Sequence, residues 1–253
     1  MAKIPVALQM YTVRDQMAAD FPGTFKEVAK IGYTAVELGM GAGNLSGADL
    51  KKFLDDCGLK LCGVHVPIDA LDKDLINVLK YILPLGIQYV ICPWMPEDRR
   101  NSAAMWQRTG RVMASIGTAL KSDGLQLCYH NHSFEFQKFD GKYGFDIFYE
   151  YSEPAFVQAE LDTYWIQHGG EKPAEYIRKY ANRCPLIHLK DMLADEQKTF
   201  AEVGKGILDW PAIFKACEAS IAKWYIVEQD RCQRPPMESA KISFEYLKKM
   251  KIV

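Results

Sequence analysis

The chain has 253 residues, enough for one large core, and α/β barrels of about 250 residues form single domains. Its 31 basic and 32 acidic residues leave a formal charge of −1, so bulk charge gives no reason to expect nucleic acid or an anionic membrane as partner. No apolar run approaches the ~20 residues that span a bilayer.

The opening MAKIPVALQMYTV, broken by Gln9, reads as a first strand rather than a signal peptide. The expected location is therefore cytoplasmic, or periplasmic if a signal peptide has been removed. Strands are expected at Ile4–Leu8, Ala35–Leu38, Leu61–His65, Tyr89–Cys92, Leu125–Tyr129, Val157–Leu161, Leu186–Leu189 and Tyr225–Val227, each a short apolar run rich in β-branched residues. Helical patterns lie between them. Phe21–Ile31 ends at Gly32 and Ala48–Cys57 at Gly58. Leu71–Leu83 is stopped by Pro84, and Arg99–Lys121 is the longest. A weak crossover at Tyr143–Tyr151, then Pro173–Tyr180, Pro211–Ala219 and Met237–Lys249, complete the set. Eight strands alternating with helices, without GxGxxG, P-loop or linker, predict one (β/α)8 TIM barrel over residues 1–253. The seven cysteines include no CxxC pair and read as reduced residues, several of them in the core.

The polar residues gather at predicted strand ends. Glu37 ends the second strand and His65 the third; Trp94 follows the fourth; His130, Asn131 and His132 follow the fifth. Glu160 and Asp162 end the sixth, His188 and Lys190 the seventh, and Glu228 the eighth. In a barrel these ends share one rim, where active sites are built. Residues two apart on a strand share a face, which pairs Glu160 with Asp162 and His188 with Lys190. Four carboxylates at one mouth need a compensating cation. Mixed oxygen and imidazole donors suit a divalent metal such as Mn, Zn, Co, Fe or Mg, with Lys190 sharing the neutralisation.

The segments GVHVP, YHNHSFEF, ELDTYW, HLKD and VEQD, in this order and at strand ends, resemble the xylose isomerase-like barrel superfamily, which includes sugar epimerases, inosose dehydratases and endonuclease IV. The nearest likeness is to bacterial proteins named sugar phosphate isomerase/epimerase, from the first strand to Glu228. The resemblance implies a divalent metal at the mouth, held by Asp162, His188 and Glu228. Relatives commonly carry a glutamate before the strand-five asparagine; this chain has His130 there, which becomes the fourth ligand or the base, with Glu135 as another stand-in. His65, Trp94 and His132 match positions that contact substrate, and Glu37, Glu160 and Trp165 are read with them as substrate-facing. Lys190 resembles a substrate-binding lysine and joins Glu228 and His130 as a catalytic candidate. In EVGKGILDW the two glycines read as structural and Asp209 as a helix N-cap; a phosphate cradle is the rival reading. A homodimer is implied by the resemblance.

The expected activity is isomerisation or epimerisation of a sugar through an enediolate. The missing second glutamate makes elimination or hydration on a 3-keto sugar or inosose-like polyol the alternative. A DNA-repair nuclease would want a basic face and more histidines. A non-catalytic sugar-binding barrel would keep Trp94 and the rim groups and need no metal.

Overall fold

The computed structural model describes residues 3–253. Eight parallel strands close into a barrel: β1 Val6–Gln9, β2 Ala35–Gly39, β3 Lys60–His65, β4 Tyr89–Cys92, β5 Gln126–His130, β6 Val157–Asp162, β7 Leu186–Leu189 and β8 Trp224–Val227. Each pairs with its sequence neighbours, and β8 closes on β1 through Val6↔Tyr225, Ala7↔Ile226 and Leu8↔Val227. Strand edges are thereby abolished.

The alternation along each strand explains both cores. One inward set, Ala7, Ala35, Cys62, Tyr89, Ile91, Cys128, Leu186 and Ile226, forms an apolar plug inside the barrel. Outward residues such as Leu8, Val36, Val64, Val90, Leu127, Leu161 and Ile187 join the larger cluster under the helices. Two residues beyond the plug, the inward positions turn polar: Gln9, Glu37, His130, His188 and Glu228 follow Ala7, Ala35, Cys128, Leu186 and Ile226 by one full step of the pleat. A register shift opposite Val36/Glu37 leaves Cys62 as an extra residue in β3 and sets Gly63 against Glu37. A Cβ on Gly63 would sit 3.0 Å from Glu37 Oε1 and 2.5 Å from Ile91 Cδ1, so the glycine makes room for that carboxylate.

The outer helices follow the expected order. Phe21–Ile31 is helical over the expected span, N-capped by Asp20, and ends at Gly32 with φ 124°. The single helix expected over Leu71–Leu83 is instead two, Ile68–Lys73 and Leu75–Ile82, parted at Asp74 (φ −143°). Pro84 falls in a 3-10 turn, Leu83–Leu85, that ends the second. Two short helices unheralded by periodicity, Arg14–Ala19 and Thr163–His168, lie just beyond strands; six residues are too few to show a repeat. All seven cysteines are unpaired, and five are buried. Among the described residues, no helix is long and apolar enough to cross a membrane.

Candidate metal and active site at the barrel mouth

The carboxyl ends of the strands place their polar side chains in two layers around a pair of histidines. The lower layer, next to the plug, holds Glu37 and Glu160, neither with any exposed surface. Glu37 Oε2 accepts from Gln9 Nε2 at 2.8 Å and faces His188 Nε2 at 2.8 Å and His65 Nε2 at 2.9 Å. Glu160 Oε2 faces His65 Nε2 at 3.0 Å, His130 Nδ1 at 3.1 Å and His188 Nε2 at 3.2 Å. Their Oε1 atoms are buried without a partner.

The upper layer holds Asp162, Glu228 and Asp230 around the ammonium of Lys190, at 3.1, 2.5 and 2.8 Å. His130 and His188 span both layers. His130 turns Nε2 toward Asp162 Oδ2 at 3.7 Å, and His188 turns Nδ1 toward Glu228 Oε2 at 3.0 Å. In each ring the other nitrogen meets a lower carboxylate, the arrangement that fixes the orientation of metal-binding imidazoles.

Local structure explains the motifs. Asp162 ends β6 and caps the next helix, with Oδ1 accepting from Trp165 N at 2.9 Å. That leaves Oδ2 turned inward and buried, with the Lys190 ammonium at 3.1 Å. Asn131 Oδ1 accepts from Asp162 N at 3.0 Å, tying the end of β5 to the end of β6. Thr163 Oγ1 donates toward the carbonyls of His188 and Lys190 at 3.0 and 2.8 Å and accepts from Lys190 N at 3.0 Å, holding the strand end that carries both.

These contacts set the charge states. Burial and the neighbouring His188 and Lys190 hold His130 well below the usual imidazole range. Burial would lower His188 too, but Glu160 and Glu37 overcome it and raise its pKa well above the ordinary value. His65, opposed in the same way, rises to about 10. Burial would raise Glu228, yet Lys190 and His188 bring it down to about 2. For Asp162 burial wins over Lys190 and His188, and its pKa rises to about 6.

The four residues expected to hold a metal come together: His130, Asp162, His188 and Glu228 offer donor atoms that all lie within 4.8 Å of one another. A second group, His65, His130, Glu160 and His188, meets the same criterion. Both are mixed imidazole and carboxylate sets able to hold a divalent ion, and the unpartnered Glu37 Oε1 and Glu160 Oε1 leave acceptor capacity for a cation.

Above lies a cavity of about 1190 Å3, lined among others by His65, Trp94, His130, His132, Trp165, Lys190 and Glu228. Glu37 and Glu160, read from sequence as substrate-facing, do not line it. They lie one layer deeper, at zero exposure beneath His65 and His188, and so face imidazoles rather than a substrate. Glu135 is not a stand-in for the missing glutamate: it is fully buried, accepting from Tyr129 Oη at 2.6 Å and His132 N at 2.9 Å. His132 stacks on Phe134 at 5.4 Å and tilts against Trp165 at 5.2 Å; burial and Lys190 push its pKa down to about 3.

Three polar groups in or beside the site escaped the sequence reading. Gln9 looked like an interruption of an apolar run but is the inward partner of Glu37. Asp230 lies beyond the last strand and meets Lys190 only in space. Asp191 is buried and accepts from the amides of Gly204, Gly206 and Leu208 and from Trp210 Nε1, at 2.8–3.2 Å. The two glycine amides expected to structure the GKG loop are thus bound to a carboxylate rather than presented to a phosphate, and Asp209 caps the following helix through Ala212 N at 3.0 Å.

A model of the xylose isomerase-like TIM barrel family matches residues 25–250, and the chain belongs to that family. An inosose dehydratase of Geobacillus kaustophilus is 25% identical, over 88% of this chain and 85% of its own length. An inosose dehydratase of Clostridium beijerinckii is 26% identical, over 56% of this chain and 54% of its own. A crystal structure of a sugar phosphate isomerase/epimerase from Parabacteroides distasonis superposes with a TM-score of 0.87 at 26% identity, covering 100% of this chain and 98% of that one.

Proposed function

We propose, with that family membership as premise, that the chain is a metal-dependent sugar-modifying enzyme whose reaction is dehydration of a keto sugar or a cyclic polyol ketone. The observation that carries this reading is the contact of Glu228 and Lys190 at 2.5 Å beside the donor group of His130, Asp162, His188 and Glu228. It sets a carboxylate base and an ammonium acid side by side. Dehydration needs that pair, since one group removes a proton alpha to the carbonyl while the other protonates the leaving hydroxyl. Likeness to two inosose dehydratases supports the same choice.

A divalent ion held by His130, Asp162, His188 and Glu228 would supply Lewis acidity at the ketone oxygen. The chain's own groups do the rest. Glu228, with its pKa near 2, is ionised at any working pH and accepts the alpha proton. Lys190 is held as ammonium by Asp162, Asp230 and Glu228, and donates to the departing oxygen. The C–H and C–O bonds break, the carbon–carbon double bond forms, and water leaves. His132, kept neutral, has a buried Nδ1 without a partner and so a free site for a substrate hydroxyl. Trp94, 48% exposed, and Trp165 give apolar faces along the cavity.

Likeness to the Parabacteroides distasonis protein favours a second reading, isomerisation or epimerisation, in which the proton returns to carbon and no water is lost. The two part on one assay. Incubation of the Mn2+-loaded enzyme with inososes and 3-keto sugars is expected to yield a conjugated enone absorbing in the ultraviolet. Product of unchanged mass would replace dehydration with the second reading. Metal content is expected to fall in Asp162→Asn and Glu228→Gln; wild-type protein that binds sugar tightly but no divalent ion would replace both with a non-catalytic barrel. The same reading carries a small-molecule polyol as partner, no nucleic acid, and a homodimer to be checked by light scattering. Seven unpaired cysteines suit a reducing cytoplasm.

A further inference from the structure

We propose that the lower layer of the mouth is a second divalent-cation site, held by His65 Nε2, Glu37 Oε2, Glu160 Oε2 and His188 Nε2. It shares one ring, that of His188, with the metal seat of the proposed function and rests on that reading only there.

The first argument is geometric. Each of the two imidazole nitrogens faces each of the two carboxylate oxygens at 2.8, 2.9, 3.0 and 3.2 Å. A coordination shell about 2.1 Å in radius has octahedral edges of about 3.0 Å and tetrahedral edges of about 3.4 Å. The four imidazole–carboxylate distances across β2, β3, β6 and β7 therefore match the spacing of neighbouring ligands around one ion. Their chemistry, two imidazoles and two carboxylates, suits Mn2+, Zn2+, Fe2+ or Co2+.

The second argument is the buried acceptor capacity. Glu37 and Glu160 have no exposed surface, and each keeps its Oε1, beside the Oε2 that faces the imidazoles, without any partner. A buried carboxylate with an unmet oxygen is costly unless a cation or donor meets it. The lower layer contains no lysine or arginine ion pair among the described residues. Lys190 is spent on Asp162, Glu228 and Asp230 above.

The third argument is charge. Five carboxylates, Glu37, Glu160, Asp162, Glu228 and Asp230, crowd the mouth against one ammonium. One divalent ion leaves two negative charges uncompensated when the histidines are neutral; two ions with Lys190 balance all five. The His188 ring is placed to join the two seats, with Nε2 toward Glu37 and Glu160 and Nδ1 toward Glu228.

The rival is a lower layer neutralised by protonated His65 and His188. Elemental analysis after equilibration with Mn2+ separates them. Two ions per wild-type chain are expected, one in His65→Asn and in Glu37→Gln, and one in Asp162→Asn. Because a change at a buried carboxylate can prevent folding, wild-type crystals soaked in Mn2+ give the independent reading: two anomalous peaks, one on each side of the His188 ring. A single peak between Asp162 and Glu228, with content unchanged in His65→Asn, would overturn the second site and leave the proposed function standing. A single peak between His65 and Glu160 would support the lower site while displacing the upper seat. No ion at either position would overturn both.

Discussion

The ammonium of Lys190 donates to Asp230 Oδ1 at 2.8 Å, joining the end of β7 to the segment after β8. The lysine is almost wholly buried and also meets Asp162 and Glu228. Removing one partner of a buried ion pair costs about 3–5 kcal/mol, because the other charges stay behind. Lys190→Met is therefore expected to lower the melting temperature of metal-free protein, with Mn2+ restoring part of the loss. Activity should fall by at least ~100-fold if the ammonium is the acid. Thermal unfolding with and without Mn2+ checks the first point, and an unchanged melting temperature would refute it.

Asp191 organises the loop after β7 through the amides of Gly204, Gly206 and Leu208 and the indole of Trp210. An asparagine keeps the shape but turns an NH2 toward donors. Each buried donor left unmet costs about 1–3 kcal/mol. Asp191→Asn is expected to destabilise by roughly 2–4 kcal/mol, read by urea denaturation, while Asp209→Asn, which keeps a capping oxygen, stays near wild type.

Glu135 gives a pH dependence away from the metal donors. Burial raises its pKa to about 7, against the hydrogen bonds from Tyr129 and His132. The folded state thus favours the protonated acid. Its stabilising contribution is complete below the unfolded carboxyl value near 4.5 and is lost as pH rises through about 7. Wild-type stability should fall across that window by up to roughly 3 kcal/mol from this group, and Glu135→Gln should flatten the profile. Equal slopes in the two proteins would remove the assignment.

Trp94 stands half exposed on the cavity wall, edge-on to Phe134 at 6.4 Å, and Arg100 lies over that phenylalanine at 3.9 Å. Trp94→Ala is expected to raise KM by about 10-fold with kcat little changed, the signature of lost uniform binding. Steady-state kinetics on the substrate of the proposed dehydration decides it; an equal fall in kcat with KM unchanged would move Trp94 into the chemistry.

The barrel was legible because its strands are short apolar runs with polar ends. Tyr89–Cys92 and Leu186–Leu189 are strands over the very residues expected, and the donor group of His130, Asp162, His188 and Glu228 lies at strand ends, where the family resemblance implied it. Depth was not legible. Glu160 and Asp162 share a face by period two, yet one step of the pleat puts one beneath His65 and the other beside Lys190. Sequence spacing gives the face and not the layer. Contacts made only by closure were hidden for the same reason: Gln9 with Glu37, and Lys190 with Asp230, depend on which strands become neighbours. Glu135 followed a histidine motif and looked available; only the hydrogen bonds from Tyr129 Oη and His132 N show it occupied.

The apolar plug makes the mouth a blind well. Ala7, Ala35, Cys62, Tyr89, Ile91, Cys128, Leu186 and Ile226 are each at most 4% exposed and fill the barrel beneath the polar layers. Traffic of protons, ions and water has one doorway, and a bound substrate stands in it. On the proposed function, a proton lifted from carbon is then trapped with its product until release. Reaction in D2O should accordingly transfer label sparingly to recovered substrate, and a substrate pool that exchanges faster than it turns over would mean the well leaks.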